Sequence, residues 1–138
     1  MTTFRVSEAA ALLGVSDDTV RRWAEQGRVR LQRAPNGMQV VDGAELVTLM
    51  TESPAASALA EAFPLARTSA RNRFVGLVTR VERDGVMAQV ELQAGPFRVV
   101  SLMSREAADE LGLEPGMLAA ASAKATVVSI ELPPGAAS

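Results

Sequence analysis

The stretch TSARNRFVG, Thr68 to Gly76, decides the fold predicted for the second half of the chain. A serine, an asparagine and two arginines are crowded together just before a period-two pattern of apolar and β-branched residues begins. That pattern, Val75, Leu77, Thr79 and Val81, is typical of a β-strand. A strand does not need such a polar segment before it. These residues therefore either solubilise the start of a domain or hold something negative.

The residues that follow alternate in the same way. They predict strands at 73–82, 86–92, 97–103, 117–123 and 127–132, with a helix from a Ser104 cap to Leu111 after the third strand and Gly112 closing that helix. Three strands, one helix and two strands are the order of a small OB-like barrel. Such a barrel has a limited core, so an oligomer is expected.

The first fifty residues have a helical pattern instead, so the fold class predicted for the chain is α+β with two domains. Ser7, Ser16 and Asp42 are candidate caps of helices at 8–13, 17–26 and 43–50, and Asn36-Gly37 is a hairpin signal between short strands at 29–33 and 38–41. The segment TESPAASALAEAFPLA, residues 51–66, is typical of a linker because it combines two prolines with small residues. The predicted domains are thus residues 1–50 and 67–134.

Composition excludes several classes of function. The chain has no cysteine and no histidine, so disulfide frameworks, cysteine zinc sites and thiol catalysis are excluded, and the commonest general base is missing. Without a phosphate-binding glycine loop or a convincing carboxylate pair, an enzyme is not expected. The N-terminus has no signal-peptide pattern, and no apolar run approaches the length of a membrane span. We expect a cytoplasmic protein without a membrane partner.

The charge is unevenly distributed. The net charge of −2 argues against a protein that coats nucleic acid indiscriminately. Between Val20 and Arg33, however, five arginines face a single acid, Glu25, which gives a local net charge of +4. One small surface could therefore face phosphates.

The run VSEAAALLGVSDDTVRRWAEQGRV followed by NGMQVV resembles the winged helix-turn-helix of the MerR-like and excisionase-like families. The resemblance implies that the second helix enters a major groove while the wing touches the DNA backbone or minor groove. Arg22 would contact a guanine edge, and Arg21, Arg30 and Arg33 would meet phosphates together with the backbone near Gly37. The full set of expected DNA contacts is Ser16, Thr19, Arg21, Arg22, Arg30, Arg33, Asn36 and Gly37. Trp23 is expected in the core, and the alternative for the arginines is the solvated face of a protein-binding module.

The segments SARNRFVGLVTRVERDGVMAQVEL, LGLEPG and KATVV resemble the molybdate-binding Mop domain, also called the TOBE domain. The resemblance implies that a molybdate or tungstate dianion is the ligand. The expected oxyanion donors are Ser69, Arg71, Lys124, Thr126 and Ser104, with backbone amides near Ala70 and Ala125. Family members hold the anion at contacts between Mop domains, which implies that Arg71 of one subunit faces Lys124 of another. Val127 departs from the family pattern, because a serine commonly stands after Lys-Ala-Thr.

Lys124 is conspicuous on sequence grounds as well, since it is the only lysine in the chain. Its alternative is an ordinary exposed loop lysine, just as Ser104 is equally well explained as a helix cap.

Two functions are compatible with these features. The first is a molybdate- or tungstate-responsive regulator that binds DNA as a homo-oligomer, either a dimer or a hexamer. The second is an intracellular molybdate-binding or storage protein whose N-terminal module serves assembly.

Overall fold

A computed structural model describes residues 2–52, 61, 64 and 67–135. The chain divides into two compact units, Met1–Ala62 and Phe63–Ser138. Most of the linker predicted at 51–66 lies outside the described residues.

The first unit combines three helices with a small antiparallel sheet. The helices are α1 (Val6–Leu13), α2 (Asp17–Glu25) and α3 (Gly43–Thr51), and the strands are β1 (Thr3–Arg5), β2 (Leu31–Arg33) and β3 (Gln39–Asp42). The sheet order is β1-β3-β2. Strand β1 was not predicted, because three residues carry no usable alternation and become a strand only by pairing with β3, where Phe4 lies opposite Val41.

The predicted helix starts are confirmed in two of the three cases. The Ser16 hydroxyl accepts the Thr19 N–H at 3.2 Å, and the Asp42 carboxylate accepts the Ala44 N–H at 3.1 Å. Ser7 as the cap of α1 is wrong, because Arg5 occupies that position. The Glu8 carboxylate accepts the Arg5 backbone N–H at 3.0 Å and the Arg5 Nε–H at 3.2 Å. Glu8, the third residue of the helix, thus satisfies the backbone N–H of the cap residue, as in a capping box.

Two adjoining clusters form the core of the first unit. Ala9, Val29, Val41 and Leu46 make one cluster, and Val6, Ala10 and Val20 make the other. Trp23 and Ala24 pack against the first cluster, which confirms the expectation that Trp23 is a core residue. The helices and the sheet therefore share one apolar interior, as a small domain requires.

The second unit is a curled four-stranded antiparallel sheet with one helix. The strands are β4 (Asn72–Asp84), β5 (Met87–Ala94), β6 (Phe97–Ser104) and β7 (Leu118–Ala123), and the helix is α4 (Arg105–Leu111). The sheet order is β6-β5-β4-β7, so β6 and β7 are its edges. Val78, Val90 and Leu92 form the buried core, and the half barrel is compatible with the predicted OB-like fold.

Strand β4 pairs with two strands, with β7 along residues 72–77 and with β5 along residues 77–84. Its pairing with β5 shifts register between Val78 and Arg80, which marks a β-bulge. Just before the bulge, a Cβ atom on Gly76 would lie 2.0 Å from the backbone oxygen of Gln93. Glycine is therefore required at position 76, because any side chain there would overlap the backbone of β5.

The fifth barrel strand predicted at 127–132 is wrong for the described chain. Ala125–Val127 is a single 3₁₀ turn, and the residues after it have no strand partner. Ile130 is 86% exposed and Leu132 is 70% exposed. Alternation shows that a segment can form a strand, but a strand also needs a free edge within reach, and local sequence does not specify that edge.

Candidate functional site

The register of β4 against β7 brings two distant sequence motifs to one end of the sheet. Asn72 lies opposite Ala123 in the ladder, and the Asn72 side-chain amide donates to the Ala123 carbonyl at 3.1 Å, across 51 residues of sequence. This is the last pair of the ladder, and Arg71 and Lys124 are the residues just beyond it on the two strands. The segment Ser69–Arg71 and the segment Lys124–Thr126 therefore leave the sheet at the same end of the same chain.

Both cations at this end are exposed and uncommitted. Within the described part of the chain, neither the Arg71 guanidinium nor the Lys124 ammonium takes part in a hydrogen bond or an ion pair. Two unpaired positive charges at one end of a sheet favour an anion there. We refer to Ser69–Arg71 together with Lys124–Thr126 as the ladder-end cluster.

The other expected donors of the cluster differ in availability. Ser69 and Thr126 are exposed. The Ala70 N–H, which the sequence suggested as an oxyanion donor, already donates to the Thr68 hydroxyl at 3.2 Å and is therefore occupied. A helix leaves its first N–H groups without partners inside the helix, and the 3₁₀ turn begins at Ala125, so the amides there remain candidates.

Ser104 lies apart from this cluster. It ends β6 opposite Met87, beside the β4–β5 turn, whereas the ladder-end cluster adjoins the other terminus of β4. Its hydroxyl accepts the Ala107 N–H at 3.0 Å, so it caps α4. The helix-cap alternative is thus confirmed, and within one chain Ser104 is not brought together with Arg71 and Lys124.

On the first unit, the expected base-contacting helix presents one uncommitted arginine and one paired arginine. Arg22 is exposed and has no ion-pair or hydrogen-bond partner among the described residues. Arg21 lies 3.7 Å from the Asp18 carboxylate, a loose contact between exposed groups. Ser16 and Thr19 share a hydroxyl–hydroxyl bond of 2.9 Å at the helix start. The residues expected at the groove thus extend from the Ser16 cap of α2 to Arg22 in its last turn.

The wing is tied together by its own side chains. The Arg33 guanidinium donates to the Gly37 carbonyl at 2.9 Å, and the Asn36 side-chain oxygen accepts the Met38 N–H at 3.0 Å. Gly37 has φ 85°, a conformation that favours glycine. Arg33 therefore stiffens the hairpin tip, while Arg30 keeps an uncommitted side chain and uses only its backbone N–H, which donates to Glu45 at 3.3 Å.

One arginine of the basic segment received no role from the sequence. The Arg28 guanidinium lies over the Trp23 ring, with Cζ 4.8 Å from the ring centroid. The spacing of five between the two residues is not helical, so sequence periodicity did not suggest this contact.

Neither a metal cluster nor a membrane span is found in the described part of the molecule. No group of three or more acidic residues there could hold a metal ion, and none of its helices combines the length and apolarity that crossing a bilayer requires.

Family models match parts of both units of the chain. Residues 68–130 match the model of the TOBE domain. The chain carries a TOBE domain. Residues 5–38 match the model of the MerR family regulatory protein, so both resemblances suggested by the sequence are confirmed. The TOBE match contains the whole ladder-end cluster, and the MerR match contains α2 and the wing tip.

Three solved structures are similar to the TOBE part of the chain. A molybdate-binding protein from Sporomusa ovata is 24% identical over 49% of this chain and 100% of that chain, with a TM-score of 0.47. MopII from Clostridium pasteurianum, in an apo form, is 34% identical over 48% of this chain and 100% of that chain, with a TM-score of 0.45. The cytoplasmic molybdate-binding protein ModG, with molybdate bound, is 41% identical over 44% of this chain and 43% of that chain, with a TM-score of 0.42. A search of curated proteins found no match.

Proposed function

We propose that this protein is a molybdate- or tungstate-binding regulator that binds DNA through its first unit and the oxyanion through its TOBE unit. One observation carries the oxyanion part: two uncommitted cations, Arg71 and Lys124, leave the β4–β7 ladder at the same end. The molybdate-binding proteins that resemble this unit support the choice of anion.

The residues of the ladder-end cluster suit a tetrahedral dianion. Arg71 and Lys124 supply two positive charges for two negative ones, and Ser69 and Thr126 add hydroxyl donors. Hydrogen bonds between charged partners are the strong ones, each contributing roughly 1.5–3 kcal/mol net. None of the four side chains donates to a carboxylate of the described chain, so no internal anion competes for the site.

We propose further that the anion lies at a contact between copies of the chain. The cluster is exposed, so donors from one chain would leave part of the anion in water. Two apolar surfaces support association. The segment at 127–132 exposes Val127 at 73% and Ile130 at 86%. The inner face of the half barrel forms an open apolar concavity of about 620 Å³. A second copy that covers these surfaces would also bring a second cluster close to the first. Anion binding would then favour the assembled form by mass action.

DNA binding is proposed for α2 and the wing. One bidentate contact from Arg22 to a guanine is worth about 1–3 kcal/mol of discrimination, which is too little for a specific site. Two or more heads held in one assembly would multiply the affinity through effective concentration. The oxyanion would then regulate DNA binding by setting the copy number, and linkage requires that DNA in turn alter the affinity for the anion.

A cytoplasmic location is part of the proposal. It is supported by the similar ModG, which is described as cytoplasmic.

The oxyanion proposal is tested by calorimetry. Molybdate, tungstate and sulfate are titrated into the wild type, Arg71→Gln, Lys124→Gln and the control Arg105→Gln, which removes an exposed guanidinium from α4. Loss of one charged hydrogen bond should weaken molybdate binding roughly 10- to 150-fold in the two cluster variants. If Arg71→Gln and Lys124→Gln both bound molybdate with wild-type affinity, the ladder-end cluster would not be the oxyanion site.

The DNA proposal needs a separate measurement. The DNA upstream of the protein's own gene and a scrambled duplex of equal length are titrated at fixed salt, with and without molybdate. Tighter binding to the upstream DNA, altered by molybdate, supports the regulator. Oxyanion binding together with equal affinity for both duplexes would instead support the storage function, with the first unit serving assembly.

A further inference from the structure

The C-terminal end of α2 is closed by a turn that fixes the backbone of Arg28. The Gly27 N–H donates to the Ala24 carbonyl at 3.1 Å, and the Arg28 N–H donates to the Trp23 carbonyl at 2.9 Å. With φ 76° at Gly27, this is the Schellman pattern of a helix end. The pattern normally brings together the side chains of the two residues joined by the longer bond, here Trp23 and Arg28.

The side chain of Arg28 is ordered by the same arrangement. Its Cζ lies 4.8 Å from the centroid of the Trp23 ring, within the range of a cation–π interaction. Trp23 is itself anchored, because it packs against the buried cluster that includes Val41 and Leu46. A surface arginine usually loses much rotamer freedom when it binds, and the ring contact, worth about 0.5–1 kcal/mol at an exposed site, reduces that loss for Arg28.

The hydrogen-bonding capacity of this guanidinium remains available. All five N–H donors of an arginine lie in the plane of the guanidinium, so a contact through its face does not use them. Among the residues that the structure describes, no carboxylate forms an ion pair with Arg28. The side chain is thus a cation with a preferred position over the ring and with unused donors.

The charges around α2 favour an anionic partner at this end of the helix. Asp17 and Asp18 occupy the first turn, and the Asp18 side chain is 98% exposed, so the N-terminal end is negative. Arg28 follows the helix directly and precedes Arg30 and Arg33 on the wing side. A DNA backbone that passes the wing would therefore meet a further positive charge at this helix end.

We propose that Arg28 is a phosphate contact of the nucleic-acid interface, held ready by its contact with Trp23. The inference rests on the proposed DNA binding and adds to it a residue that neither the sequence nor the family resemblance singled out. A role confined to stability would be different: Arg28 would then only close the helix end, and its charge would not matter to DNA.

The salt dependence of DNA affinity separates these roles. The full-length wild type, Arg28→Gln, Arg28→Lys and the control Arg105→Gln are titrated against a labelled random-sequence duplex between 50 and 200 mM salt. Each neutralised phosphate contributes about 0.9 to the slope of log K against log salt. Arg28→Gln should therefore lose about 0.9 of slope, a factor of about 3.5 over this salt range. Arg28→Lys, which keeps the charge, and the control should retain the wild-type slope.

Folding is followed in the same samples by thermal melting, and the titrations are made at a temperature where every variant is folded. Wild-type slope in Arg28→Gln, whatever its melting temperature, would overturn the inference and leave DNA binding intact. Equal loss of slope in Arg28→Gln and Arg28→Lys would overturn it too, because charge would not be the cause. A wild type with no salt-dependent affinity for DNA would overturn the proposed function and this inference together.

Discussion

Replacing Gly76 with alanine should destabilise the TOBE unit more than replacing any other glycine of that unit with alanine. The new Cβ would lie 2.0 Å from the Gln93 oxygen, 2.7 Å from the Gln93 carbonyl carbon and 2.8 Å from the Ala94 Cα. Ordinary contacts between such atoms are about 3.5–4.0 Å. All three are backbone atoms of β5, so no side-chain rotation can relieve the overlap and the two strands have to separate locally.

The expected loss follows from this separation. Adding a methyl group to a tightly packed site costs about 1–3 kcal/mol, and each ladder hydrogen bond that is weakened adds about 1 kcal/mol. Because the new methyl would overlap three backbone atoms, its cost should lie at the upper end of this range, and with one ladder bond weakened we expect about 3–4 kcal/mol in total. A unit of this size is stable by roughly 4–10 kcal/mol, so a third or more of the stability would be lost.

Urea unfolding followed by far-UV circular dichroism measures the loss. The single tryptophan, Trp23, lies in the first unit, so its fluorescence reports that unit alone and should show an unchanged transition. Gly95→Ala is the matched control, since its Cβ would meet no atom within 4 Å and only its φ of 59° is unfavourable, at about 1–2 kcal/mol. Equal destabilisation by the two alanines would refute the steric reasoning.

Three further outcomes are expected. A hydrogen bond from Arg98 lowers the pKa of Glu91 below its ordinary value of 4.5. The pair therefore stabilises the folded state above pH 4.5, and this contribution is lost as the pH falls through the lowered pKa. Acid unfolding of Glu91→Gln should be less pH-dependent than that of the wild type, and identical acid transitions would contradict the assignment. Ser16→Ala should cost about 1 kcal/mol in the tryptophan-detected transition while Ser7→Ala leaves it unchanged, because only Ser16 caps a helix; a reversed order would restore Ser7 as the cap. Deleting residues 129–138 should reduce the assembly size in light scattering, and a wild-type mass would exclude that segment from the contact between copies.

Much of the local structure could be predicted because its causes are local. Ser16, Asp42 and Ser104 each cap the predicted helix, since a hydroxyl or carboxylate before a helical run satisfies its first amides over two or three residues. Glycines at 14 and 112 end their helices in the left-handed conformation, as expected. The four strands of the second unit also lie where alternation predicted them, within two residues.

Two of the errors concern strand pairing. Strand β1 exists because it pairs with β3, whereas the segment at 127–132 alternates but pairs with neither edge of its sheet, β6 or β7. Arg5 displaced Ser7 as a cap because the reach of Glu8 back to the chain start was not considered. The contact between Arg28 and Trp23 likewise depends on a turn that reverses the chain direction.

By itself the sequence determined the two kinds of unit, most of the helix ends and strands, and the residue types available for an anion and for DNA. Only the tertiary structure decided which of them meet. The pairing of Asn72 with Ala123 brings the segments that contain Arg71 and Lys124 to one end of the sheet, and no local pattern specifies that register. The physical reason is that a strand's alternation depends on its own residues, whereas its register depends on hydrogen bonds with a partner 51 residues away.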